Sequence, residues 1–193
     1  MFRIELALAV LAIAIASMAC TGGGDERQTA PLPTAYPRPA ALADSSVEVS
    51  AGPVSMRVSA SAKVVAQKAN ALDIAYSPYN STLYLATNPG VANLAREVDN
   101  RTQRMAMNLQ GAGAVQTDID LPAGHAVVVR ATSTVQTPVQ FVAVDTVHST
   151  IVSGAWFMHD WSQATPYDSV RPVADILERE AITILQSISY DGH

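Results

Sequence analysis

Side chains alternate between apolar and polar at every second position through residues 54–64 and again through 72–77, and that period dictates extended chain. In the first run Val54, Met56, Val58, Ala60, Ala62 and Val64 share one face, with Ser55, Arg57, Ser59, Ser61 and Lys63 on the other. In the second, Leu72, Ile74 and Tyr76 oppose Asp73, Ala75 and Ser77. One wet face and one dry face points to antiparallel strands, because strands buried on both faces read as continuous apolar runs. The turn chemistry of SPYNS (77–81), followed by TLYLAT, predicts a hairpin.

The period changes at Asn88. This residue is the expected N-cap, and Pro89 suits the first helical position, where its missing N–H would be unpaired anyway. Leu94, Val98, Met105 and Leu109 recur at helical spacing, predicting an amphipathic helix over about 91–109, closed by Gly111. Four more strand-like runs follow: VQTDIDL, AVVVRAT, VQFVAVD and TIVSGAWFM. The last three are richest in β-branched and aromatic residues and are expected at the sheet centre. A broad stripe of Val173, Ile176, Leu177, Ala181, Ile184, Leu185 and Ile188 predicts a second helix over about 170–189, lying on a sheet. Strands in runs with helices at two points indicate an α+β fold, an antiparallel sheet flanked by two main helices.

The N-terminal part has a different character. Arg3, an unbroken apolar run over 6–16 and the small residues Ser17 and Ala19 have the three-part layout of a signal peptide, expected over 1–19. The run is short of the ~20 residues that cross a bilayer comfortably. It ends at Cys20, the one cysteine of the chain, and this ending resembles the lipobox of bacterial lipoproteins. That resemblance implies cleavage before Cys20 and lipid attachment there; ordinary cleavage leaving a free thiol is the alternative. Gly22, Gly23, Gly24, Pro31, Pro33, Pro37 and Pro39 give residues 20–46 the composition of a tether. A single α+β domain is then expected over 47–191. With one cysteine there is no intrachain disulfide, so its core must hold it. A net charge of −5 and only two lysines, Lys63 and Lys68, argue against a nucleic-acid partner.

Chemistry-bearing residues are sparse. Asp145 and His148 form the best polar cluster: the carboxylate would orient the imidazole as a general base. Positions three apart on a continuous strand point to opposite faces, so the two meet only if a turn intervenes. The bland alternative is a strand end whose Asp145 accepts backbone N–H groups. His125, His148, His159 and His193 lack metal-ligand spacing, and no metal or cofactor is expected. AWFMHDW carries both tryptophans, Trp156 and Trp161. It reads either as a core strand or, with Trp156, His159, Asp160, Trp161 and Tyr167, as a surface for protein contact.

IAYSPYNSTLYLATN (74–88), VANLAREVDN, QFVAVDTVHSTIVSGAWFM (140–158) and PYDSVRPVADILEREAITILQSI (166–188) resemble, in order and spacing, the GldD family of gliding-motility lipoproteins. Tyr36-Pro37-Arg38-Pro39 echoes that family's proline motif after the leader. The resemblance implies a periplasm-facing envelope lipoprotein. It implies no known reaction, and the expectation is a chain held to a membrane by its N-terminal lipid that acts non-catalytically beside other proteins of a gliding or secretion apparatus. At the level of fold alone, the element order is similar to the PsbP/Mog1-type sandwich. Two other readings follow from the residues: a small-ligand binding lipoprotein with a cleft between sheet and helix, and a hydrolase using Asp145 and His148.

Overall fold

A computed structural model describes residues 38–190. The elements run β1 (Ser46–Ala51), β2 (Val54–Ser59), β3 (Lys63–Lys68), β4 (Ala71–Tyr76), a 3-10 turn (Ser77–Tyr79) and β5 (Ser81–Asn88). Helix α1 (Leu94–Asn108) is followed by β6 (Ala114–Leu121), β7 (Gly124–Ala131), β8 (Val139–Asp145) and β9 (Thr150–Met158). Helix α2 (Tyr167–Gln186) and β10 (Ser189–Tyr190) complete the described part. The fold is α+β: a seven-stranded antiparallel sheet, order β3-β4-β5-β9-β8-β7-β6, and a three-stranded one, β1-β2-β10.

The alternation in 72–77 becomes β4, with Leu72, Ile74 and Tyr76 buried. Register places Leu85 opposite Leu72, Leu83 opposite Ile74 and Trp156 opposite Leu83, so one face of the large sheet is continuously apolar. Ala174, Leu177, Ala181 and Ile184 of α2 share the main core with that face and with Val54, Met56 and Val58 of β2. On the other face, Leu94, Val98 and Met105 of α1 pack with Val142 and Ile151. Gln140 fixes that contact, donating to the Met105 carbonyl at 3.2 Å while accepting from Asn108 at 2.7 Å.

Three local departures stand out. Residues 54–64 are two strands in different sheets, because Ala62 N–H bonds back to the Ser59 carbonyl at 2.9 Å and turns the chain. Strand β3 is exposed throughout. Helix α1 starts later than Asn88 suggests: Asn88 ends β5, and Asn93 is the cap, accepting the Arg96 N–H at 3.0 Å. The stretch just before β1 lies against the domain, with Tyr79 donating to the Ala40 carbonyl, Ala43 N–H donating to Ser61 Oγ and Leu42 packed on the core.

Candidate functional site

Strand β8 ends at Asp145, and the chain reverses through residues 146–149, where Ser149 takes φ 49°. The turn brings Asp145 and His148 together. Asp145 Oδ1 accepts the N–H groups of Val147 and His148, each at 2.7 Å, and Oδ2 lies 2.9 Å from His148 Nδ1. The His148 ring stacks on Tyr190 of β10, with centroids 4.2 Å apart and planes 16° apart.

Electrostatics bind the group more tightly. Burial raises the Tyr190 phenol well above its ordinary range, and the neighbouring Asp145 carboxylate raises it further by accepting its hydrogen bond. Burial also pushes Asp145 upward, but hydrogen bonds from His148, Tyr190 and Val147 outweigh it and hold the carboxyl below the ordinary value. The carboxylate is therefore occupied by a turn and by the strand it clamps. Among the described residues no hydroxyl nucleophile bonds the His148 ring, which is half-exposed. Beside the group is a small cavity of about 160 Å³, walled by Leu121, Ala143, Leu185 and Ile188 with Asp145 and Tyr190.

The aromatic candidates separate. Trp156 is no surface residue: it is fully buried, edge-on to Tyr76 at 5.7 Å and tilted against Phe141 at 6.0 Å. The reason is strand phase, since Trp156 falls on the core face with Val152, Gly154 and Met158. Trp161 is partly buried and packs on the same core. His159 and Asp160 are exposed, and each is held by β5 or the turn before it. His159 Nε2 lies 3.0 Å from Thr82 Oγ1, and Asp160 accepts from Asn80. Tyr167 is tied elsewhere, accepting from Arg130 at 2.8 Å and donating to the Ala131 carbonyl at 3.0 Å.

A second polar group lies inside the main core. Glu180 of α2 is buried, and its Oε1 accepts the Ser59 N–H at 2.7 Å and the Tyr76 hydroxyl at 2.9 Å. Burial first, then the glutamate, raises the Tyr76 phenol well above its ordinary value. Glu180 also lines an open cleft of about 630 Å³ between α2 and the stretch before β1, with Arg38, Leu42, Ile176 and Arg179 among its walls.

A family model described as gliding motility lipoprotein GldD matches residues 26–190. The chain belongs to the GldD family. The match reaches further toward the N-terminus than the segments that carry the resemblance. No curated protein matches the chain. In this GldD-family domain Asp145, His148, Glu180 and both tryptophans lie inside the matched span. Cys20, the expected lipid site, lies outside it and outside the described residues, as does the expected signal peptide. Among the described residues no helix is long and apolar enough to cross a membrane, and no cluster of three or more metal-ligating side chains occurs.

Sequence reasoning missed Glu180, Tyr76 and Tyr190 as polar partners. Glu180 did leave a signal: it stands three residues after Leu177 and immediately before Ala181, on the apolar side of the predicted helix. A carboxylate there needs donors from whatever the helix covers.

Proposed function

We propose that this GldD-family chain is a lipoprotein anchored through Cys20, facing the periplasm. It would act by protein contact within a gliding- or secretion-related envelope assembly and carry out no reaction of its own. The family match over 26–190 carries the reading. The commitment of Asp145 to its own turn and to Tyr190 supports a structural role for that group rather than a hydrolytic one. The exposed pair His159 and Asp160, held by β5 and the preceding turn, supplies a rigid contact point.

Crosslinking in intact cells tests the reading. Envelope proteins should copurify with the chain, and Cys20→Ser should abolish both fatty-acid analogue labelling and membrane retention. Labelling that survives the substitution would refute the anchor; an absence of crosslinked envelope proteins would refute the assembly role.

A small-ligand reading is favoured by one observation, the cleft of about 630 Å³ with a buried carboxylate on its wall. Its size suits a small molecule. Native mass spectrometry of the chain isolated from its own cells would show a retained mass that Glu180→Gln removes.

A further inference from the structure

The seven-stranded sheet ends in two edges of opposite charge. Strand β3, at one end, is bracketed by Lys63 and Lys68, the only lysines of the chain, and all six of its residues are exposed. Strand β6, at the other end, carries Asp118 and Asp120, both exposed. Each edge also shows apolar surface, Val64 and Val65 on β3 and Val115 on β6. Among the described residues, no hydrogen bond reaches the outward backbone row of either strand. Unpaired rows of this kind are templates for another strand.

The faces agree as well as the signs. The β3–β4 register slips between Val64 and Ala66, and this irregularity sets Lys63 opposite Ala75 and Lys68 opposite Ala71. Both alanines lie on the face away from Leu72 and Ile74, so both lysines do too. Asp118 and Asp120 pair with Val127 and His125, on that same outer face. Lys63, Lys68 and Asp120 make no ion pair among the described residues, and Asp118 meets only Gln116 at 3.0 Å and His125 at 3.6 Å.

We propose that β3 of one copy pairs with β6 of the next, joining copies of this chain head to tail through a continuous sheet. Like edges are excluded by charge, since β3 on β3 sets lysine against lysine and β6 on β6 sets aspartate against aspartate. Seven strands alternating in direction leave β3 and β6 running the same way, so a junction that keeps the core face continuous is a parallel pair. The contact is heterologous and does not close at two copies; it gives a ring or a filament. The inference does not depend on the motility role, because it concerns other residues and a partner identical to the chain.

The test is a photo-crosslinker placed at Val65 in the full-length chain in its native membrane. Dimers and higher multimers are expected, with the crosslink mapping to β6. Lys63→Glu with Lys68→Glu should lower multimer yield about tenfold, and Asp118→Lys with Asp120→Lys should do the same. All four changes together should restore it, with thermal melting of each variant confirming a folded domain. Monomers only, crosslinks to a different protein only, or folded variants in which the combined reversal fails to restore multimers would each overturn the proposal.

Discussion

Glu180 of α2 and Tyr76 of β4 meet at 2.9 Å inside the core, and the same carboxylate oxygen takes the Ser59 N–H of β2. One atom therefore joins the long helix, the large sheet and the small sheet. Replacing Glu180 with Ala strands a phenol and a backbone N–H in the core, and stability should fall by about 3 kcal/mol. Tyr76→Phe removes one donor and should cost about 1 kcal/mol. Urea denaturation of both variants and the double variant should show clear non-additivity; independent effects would mean the contact is not made in solution.

The Asp145 group makes stability depend on acid. Its carboxyl is held below the ordinary value in the fold, so the stabilisation is complete above about pH 5, where an unfolded Asp is almost fully ionised. It should drain away as pH falls further, through the depressed folded value. Asp145→Asn should be less stable at neutral pH and lose less on acidification. Denaturation midpoints measured from about pH 6 down to about pH 2 give the comparison.

Gly154 is required by a ring. A Cβ there would run into the ring of Phe141, which crosses directly over the glycine on the adjacent strand. Gly154→Ala should destabilise by about 2 kcal/mol. In a Phe141→Leu background the same change should cost much less, and an equal penalty in both backgrounds would show that the ring is not the obstacle.

The two tryptophans should part company. Trp156→Ala empties a fully enclosed site and should cost about 4 kcal/mol. Trp161→Ala, at a partly buried position, should leave a cooperative melt while weakening crosslinks to envelope partners. Intact crosslinks in a folded Trp161→Ala would remove that residue from the contact surface.

Much of the fold was legible because burial imposes its period on single strands, as Leu72, Ile74 and Tyr76 show. The break within residues 54–64 was not, because its turn is built from Ala60, Ser61 and Ala62 and contains neither Gly nor Pro. Alternation simply ran through it. The Asp145 turn was legible in outline, as a strand end whose Asp145 accepts backbone N–H groups, although Thr146, Val147, His148 and Ser149 carry no strong breaker. Trp156 was ambiguous as long as its strand phase was unknown. The Glu180 contacts join residues 104 and 121 positions apart, a separation at which local pattern carries no information.

Strand β2 also has consequences for when the domain can form. Its partner β10 is reached only at Ser189 and Tyr190, and Ser189 Oγ donates to the Ser55 carbonyl across 134 positions. Glu180 is almost as distant from the Ser59 N–H it receives. A chain emerging N-terminus first can pair one edge of β2 with β1 at once, but leaves the other edge unsatisfied until nearly all of the domain has followed. Closing so long a loop is slow, since its entropy is lost before any contact repays it. Such a domain locks late, only once its C-terminal strand is free to return to β2.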